Sequence, residues 1–235
     1  MRKQSGFTLI EIAIVLVIIG LLLGGVLKGQ ELITSARVRN IISQQDGIKA
    51  AYFGFLDRFR ALPGDYAQAS TNINCPTPPG CTNGNGNGQI TVNGVAGATI
   101  DEHIAAWEHL SKSGFINGSY TYAAVPETTA SAATNPYVRY IQLIYDASYG
   151  PVGGGAVARH NIKTGNQVPS DILAEIDRKI DDGNPIGGVF QFSPYDGGAG
   201  GTAPTGGAAG TCYTVAPTPA WSAPPITNCG GASLL

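Results

Sequence analysis

The chain is poor in charge. Asp, Glu, Lys and Arg make up 13% of its 235 residues, whereas a typical soluble domain carries about a quarter. Solvated disordered chains and proteins that bind nucleic acid along their whole length need a higher charge density, so the sequence excludes both classes. The charge that is present is uneven, with a net +4 over residues 1–60 and a net −6 over residues 61–235. This division indicates two parts with different surroundings.

The sequence also lacks the common catalytic motifs. It contains no Gly-x-Ser-x-Gly, no phosphate-binding Walker loop and no glycine-rich dinucleotide motif. Its only histidines are His103, His109 and His160. The first two are six residues apart, so they do not share a helix face as a zinc-binding pair four residues apart would. We therefore expect a protein that is not an enzyme and that binds no cofactor.

One long apolar run stands near the N-terminus. Phe7–Leu27 spans 21 residues, and Glu11 is its only charge. A helix of this length crosses the hydrocarbon of a bilayer, which is about 30 Å thick. A secretory signal peptide is the alternative, but its apolar region is shorter and a small-residue cleavage site follows it. A carboxylate at mid-membrane costs ~2.5–3.5 kcal/mol, which a disposable leader has no reason to carry. The run therefore predicts a retained membrane helix.

The start of this run resembles a known processing signal. Residues 6–11 read GFTLIE after a short basic leader, and this pattern resembles the class III signal of type IV pilins and type II secretion pseudopilins. The resemblance implies that a prepilin peptidase cuts after Gly6 and that Phe7 becomes the N-methylated first residue. It also implies that Glu11 serves subunit docking and filament assembly.

The helix is predicted to continue past the membrane. From Val38 to Phe59, apolar residues recur at alternating three- and four-residue intervals, with Gln45 at one such position. This spacing is typical of one buried helix face. The helix should end at Pro63 and Gly64, since proline cannot continue a helix and glycine permits a turn. We expect a leader at 1–6, a transmembrane helix at 7–28 and its amphipathic continuation at 29–62.

Residues 63–196 are predicted to form a small α+β domain. A capping box, Thr99–Glu102, begins one helix that Gly114 ends, and a second helix covers about Ser170–Asp182. Strands are predicted at Tyr120–Val125, Tyr137–Tyr145, Ala156–Ile162 and Ile186–Phe192. Few strands joined by turns beside one long helix favour an antiparallel sheet. The expected fold is therefore pilin-like α+β, in which the long N-terminal helix packs on a small antiparallel sheet with disulfide-closed loops.

Four cysteines indicate how the loops are closed. Cys75, Cys81, Cys212 and Cys229 allow three pairings, and we favour the most local one, Cys75–Cys81 with Cys212–Cys229. Residues 197–235 contain no charged side chain and are rich in Gly, Ala, Pro and Thr. Such a segment builds little core of its own, so a disulfide would constrain it. Disulfides also indicate an oxidising compartment.

Two oxygen-rich segments raise the question of calcium. Residues 83–88 alternate Asn and Gly and contain no carboxylate, so a plain flexible turn is the favoured interpretation. Asp177, Asp181 and Asp182 could hold calcium, as some secretion pseudopilins do. Asp181, Asp182 and Gly183 are also typical of a helix end and its turn, and that interpretation is favoured here. We therefore expect no metal site.

Together these features predict a structural subunit, either a type IV pilin or a type II secretion pseudopilin. We expect a single pass of the inner membrane, with Arg2 and Lys3 in the cytoplasm and the C-terminal domain in the periplasm. The resemblance implies as partners prepilin peptidase, an inner-membrane assembly platform with its ATPase, and other pilin-like subunits. No nucleic acid is expected, because residues 61–235 are acidic. The alternative is a singly anchored periplasmic or surface-binding protein that does not polymerise, with Tyr213 and Trp221 contacting a ligand.

Overall fold

A computed structural model describes residues 9–76, 80–92, 100–150 and 155–235. The chain divides into two compact units, Met1–Arg37 and Val38–Leu235. Helix α1 extends from Leu9 to Phe59 and contributes to both. The predicted continuous helix is therefore confirmed over its described part.

The second part of α1 has one buried face. Its buried residues are Val38, Ile41, Gln45, Ile48, Ala51, Tyr52 and Phe55. The helix ends where Arg60 adopts a φ of 54° and Gly64 a φ of 88°, which lie outside the right-handed helical region. A Cβ at Gly64 would lie 2.2 Å from the carbonyl oxygen of Glu102, so this close approach requires glycine.

Three further helices and six strands follow α1. The helices are α2 (Ala69–Asn72), α3 (Glu102–Lys112) and α4 (Ser170–Ile180). The strands are β1 (Gln142–Asp146), β2 (Arg159–Lys163), β3 (Phe190–Phe192), β4 (Tyr213–Thr214), β5 (Ala220–Trp221) and β6 (Gly231–Leu234). Four of them form an antiparallel sheet in the order β1-β2-β6-β3, and β4 pairs with β5. The predicted α+β class and antiparallel sheet are confirmed.

One predicted strand is not formed in the structure, and three observed strands, β4, β5 and β6, are not predicted. Residues 120–125 are not a strand, because the amide of Thr121 donates to Ala130 and the amide of Tyr122 donates to a carboxylate oxygen of Glu108. Conversely, β6 is not predicted, since its small residues have low strand propensity. A Cβ at Gly231 would lie 2.3 Å from the Phe190 ring, so glycine there lets β6 pair closely with β3.

The two predicted helices of the domain are α3 and α4. Thr99, the first residue of the predicted capping box, lies outside the described residues. Helix α3 is buried continuously from Glu102 to Leu110, and Trp107 packs with Ile48, Leu143 and Ile162. Helix α4 packs Leu173 and Ile176 with Val38, Ile41 and Phe190. The second part of α1 therefore packs with both helices and the sheet.

Both disulfides join the cysteine pairs favoured from the sequence. Cys75 is bonded to Cys81, and Cys212 to Cys229. Cys212 and Cys229 are both buried and belong to the cluster of apolar side chains around α4. The second bridge thus ties the charge-free C-terminal segment to the core, and β6 completes that attachment.

Candidate functional site

The first part of α1 presents a large apolar surface. No side chain among residues 9–37 is buried. Its large apolar side chains expose from 46% of their surface at Ile19 to 92% at Leu9. In the part of the chain that the structure describes, α1 is the one helix long and apolar enough to cross a membrane. Exposed apolar surface of this extent marks contact with a membrane or with other proteins.

Glu11 is the single charge on this surface between residues 9 and 27. It lies in the first turn of α1, and its side chain is exposed. A carboxylate in hydrocarbon is costly, so an ionisable residue at such a position indicates a functional role. Gly6 and Phe7, the predicted processing residues, lie outside the described residues. The roles of all three residues therefore stay predictions.

The histidines have structural surroundings. His109 is fully buried in the domain, where its Nδ1 accepts a hydrogen bond from the Gly64 amide at 2.9 Å and its Nε2 lies 2.7 Å from the Thr82 carbonyl oxygen. These partners require the neutral ring with its proton on Nε2, and burial lowers the pKa of His109. His103 instead lies 3.3 Å from Glu127 Oε1. The two α3 histidines thus have separate partners.

Buried carboxylates hold residues 82–91, a segment that includes the turn predicted at residues 83–88. The carboxylate of Asp65 accepts hydrogen bonds from the Asn87 and Gly88 amides, and the carboxylate of Glu102 accepts from Asn85 and Thr91. The turn predicted at residues 83–88 is therefore held by hydrogen bonds to distant side chains. No local pattern predicts these contacts, because the acceptors are distant along the chain.

The three aspartates in the last turn of α4 and just after it have their oxygens engaged by the protein. The Asp177 carboxylate, fully buried, accepts from Trp221 Nε1 at 2.7 Å and from the Gly183 amide at 3.3 Å. The Asp182 carboxylate accepts from the Asn184 amide, and the Asp181 carboxylate accepts from backbone amides of residues 189–190. Although these carboxylates lie close enough to share a cation, their contacts are those of the favoured helix end and turn.

The aromatic residues of the alternative, surface-binding interpretation are largely inside the fold. Trp221 exposes only 9% of its surface, and its indole nitrogen is bound to Asp177. Tyr213 is half-buried, with its ring centre 5.0 Å from that of Phe192. The expectation that Trp221 is an exposed aromatic residue is therefore wrong, because its ring is packed in the domain and its nitrogen donates to Asp177.

Comparison with known proteins bears on the exposed apolar end of the chain. The family model of the prokaryotic N-terminal methylation motif matches residues 1–27. Neither a curated protein nor a solved structure matches the chain. The matched residues end where the apolar run ends, and this motif with a long apolar helix indicates a membrane-anchored, single-pass protein. Residues 1–27 therefore carry the signal that type IV pilin and pseudopilin precursors bear at their N-terminus.

Proposed function

We propose that the chain is a structural subunit of a type IV pilus or a type II secretion pseudopilus. One observation carries this proposal: the methylation motif at residues 1–27 coincides with an uncovered apolar helix whose only charge up to Leu27 is Glu11. Prepilin peptidase would cut after Gly6 and the new N-terminus, Phe7, would be methylated. The subunit would then polymerise through this helix.

Before assembly, the apolar helix anchors the precursor in the inner membrane. Arg2 and Lys3 hold the leader in the cytoplasm, in keeping with the rule that basic residues flank the cytoplasmic end. The unit Val38–Leu235 is then periplasmic, which agrees with its two disulfides. The anchor would thus lie in the membrane and the domain in the periplasm, in agreement with the different net charges of residues 1–60 and 61–235.

During assembly, two opposite charges, the new ammonium at Phe7 and the carboxylate of Glu11, would set the register between the helices of neighbouring subunits. Cleavage creates an ammonium at Phe7, one helical turn before the carboxylate of Glu11, and each group is unfavourable in hydrocarbon. Each is neutralised if it pairs with its opposite on a neighbouring subunit, so one register of helix against helix is preferred. Other copies would then cover the apolar side chains that the described chain leaves exposed. An inner-membrane platform and its ATPase would supply the work of extraction.

The first test is the N-terminal residue of the protein taken from its native membrane, read by mass spectrometry. A chain that begins at methylated Phe7 supports the proposal. A chain that begins at Met1 in the presence of prepilin peptidase contradicts it and favours the anchored, non-polymerising alternative.

The second test separates processing from assembly. We expect Glu11→Gln, which keeps the shape and removes the charge, to be processed normally and to be lost from sheared or crosslinked filaments. Glu11→Asp, which keeps the charge, is the matched control and should retain part of the assembly. Incorporation of Glu11→Gln at the wild-type level would remove the proposed role of this carboxylate.

A further inference from the structure

The chain contains five Asn-Gly pairs, and their asparagines are chemically unstable. Asn is among the thermolabile residues, because the next backbone nitrogen can attack its side-chain carbonyl carbon. A following glycine favours this attack, since it has no Cβ to obstruct it. Four pairs begin at described residues: Asn83, Asn85, Asn87 and Asn117. The fifth, Asn93-Gly94, lies outside the described residues.

In the first three pairs, the attacking nitrogen is held by a hydrogen bond. The Gly84 amide donates to the Tyr66 carbonyl at 3.0 Å and the Gly86 amide to the Asp65 carbonyl at 2.9 Å. The Gly88 amide donates to Asp65 Oδ2 at 2.8 Å. Each nitrogen must lose this bond before it can attack, so the turn at residues 65–66 protects all three pairs.

The asparagine side chains of these pairs are held as well. Asn83 Oδ1 accepts from the Ser70 amide at 2.8 Å. Asn85 Oδ1 accepts from the Asn87 amide at 3.0 Å, and Asn87 Oδ1 accepts from the Gln89 amide at 2.8 Å. Both reacting groups of each pair are therefore fixed, although Asn83 and Asn87 are exposed to solvent.

The fourth pair has neither restraint. Within the part of the chain that the structure describes, the Gly118 amide and the Asn117 side chain make no hydrogen bond, and both residues are exposed. Gly118 has a φ of 109°, in a region that glycine enters freely. Since Asn83 and Asn87 are exposed too, the absence of hydrogen bonds and not solvent access distinguishes Asn117.

We propose that Asn117 is a site of spontaneous deamidation in the folded protein and that Asn83, Asn85 and Asn87 are protected. The Gly118 nitrogen forms a bond to Cγ of Asn117, and the side-chain nitrogen leaves as ammonia with the proton of that amide. Water then opens the resulting succinimide at either carbonyl, which yields aspartate or isoaspartate. The net reaction consumes one water and releases one ammonia, so no oxidant, reductant or enzyme is needed.

The reaction adds a negative charge to a defined surface. Asn117 lines a cavity of about 440 Å³ with Gly47 and Ile48 of α1. Two residues further on, the Ser119 hydroxyl accepts a hydrogen bond from Lys112 Nζ at 2.8 Å. Deamidation therefore alters the charge on the side of the domain where α1 is accessible.

The test compares deamidation in the folded and the unfolded full chain. One sample in detergent and one in concentrated guanidinium chloride are incubated at mildly alkaline pH, and each Asn-Gly peptide is quantified by mass spectrometry. Unfolded, the four pairs should react at similar rates. Folded, Asn117 should keep its rate and the other three should slow about tenfold or more, the factor expected from breaking a hydrogen bond. Equal rates at all four sites in the folded chain, or protection of Asn117, would overturn the proposal.

Isoelectric focusing of variants supplies a matched control. The acidic form that accumulates in the folded wild-type protein should accumulate more slowly in Asn117→Gln, because the longer side chain disfavours the cyclic intermediate. It should persist in Asn83→Gln. Persistence in Asn117→Gln at the wild-type rate would show that another residue is the source.

Discussion

The two parts of α1 bury similar apolar residues to very different extents. Leu16, in the first part, exposes 64% of its surface, whereas Ile41 and Phe55, in the second, expose 1% and 0%. Up to Leu27, the first part is apolar on all sides except at Glu11, which suits a membrane or a set of neighbouring helices. The second part is apolar on one face, which suits a single domain. One continuous helix thus has two kinds of surroundings, a membrane or other helices along its first part and the folded domain along its second. The spacing of its apolar residues indicates which part is which.

Truncation of one leucine in each unit tests whether only the second part of α1 belongs to the stably folded domain. Leu110 is fully buried, so Leu110→Ala should lower the free energy of unfolding of the domain by ~2–5 kcal/mol. Leu16→Ala should leave it unchanged. Both tryptophans, Trp107 and Trp221, lie in the unit Val38–Leu235, so tryptophan fluorescence of the full chain in detergent reports this unit alone. Equal losses for the two variants would contradict the division.

The two disulfides should stabilise the domain to different extents. Replacing Cys212 and Cys229 together by Ala should cost ~3 kcal/mol, and replacing Cys75 and Cys81 should cost ~2 kcal/mol, because the longer loop restricts the unfolded chain more. The sequence separations are 17 and 6 residues. Denaturant unfolding of both double variants under the same conditions measures the difference. A larger loss from the shorter loop would show that packing and not chain entropy dominates.

The elements that were predictable are those with a local pattern. The stripe from Val38 to Phe55 repeats with helical spacing, and the α4 residues Ile172 and Ile176 do the same, so both helices follow from the sequence. The apolar run around Glu11 and its motif are equally local. In these cases, residues close in sequence contact the same surface, so their spacing alone predicts the helix and its buried face.

The elements that were missed depend on residues distant in sequence. Strand β6 consists of small residues, and it becomes a strand because β2 and β3 flank it. The loop at 82–91 is ordered because Asp65 and Glu102 reach it from other segments. Trp221 can be buried because its indole nitrogen donates a hydrogen bond to Asp177, 44 residues away. No local pattern predicts these contacts.

Trp221→Phe tests that last contact. The variant removes one of the two donors to a buried carboxylate and leaves the Gly183 amide as the other, which should cost ~1–3 kcal/mol of unfolding free energy. Burial raises the pKa of Asp177 from 3.8 to about 6, so the penalty should be larger above this pH, where the carboxylate is charged, than below it. Denaturant unfolding on both sides of the folded-state pKa measures the difference. A penalty independent of pH would mean that only packing is lost.

The smallest expected effect is a pH dependence of the unfolding free energy of the domain, and it arises from His109. His109 is neutral in the fold, since Gly64 donates to its Nδ1, and burial lowers its pKa below the ordinary value of 6.5. As the pH falls below 6.5, the unfolded chain therefore binds a proton that the folded chain does not. Stability from this group is present above that pH and is lost below it, by at most ~1.4 kcal/mol per pH unit.

His109→Gln should remove this slope while His160, whose pKa burial lowers to about 4, still titrates in both proteins. The difference between variant and wild type therefore isolates one ring, and unfolding free energies measured by fluorescence at several pH values provide it. An identical slope in the variant would assign the pH dependence to other groups. Loss of this contribution in the variant would show that the junction between the end of α1 and the loop after the first disulfide depends on the neutral imidazole of His109.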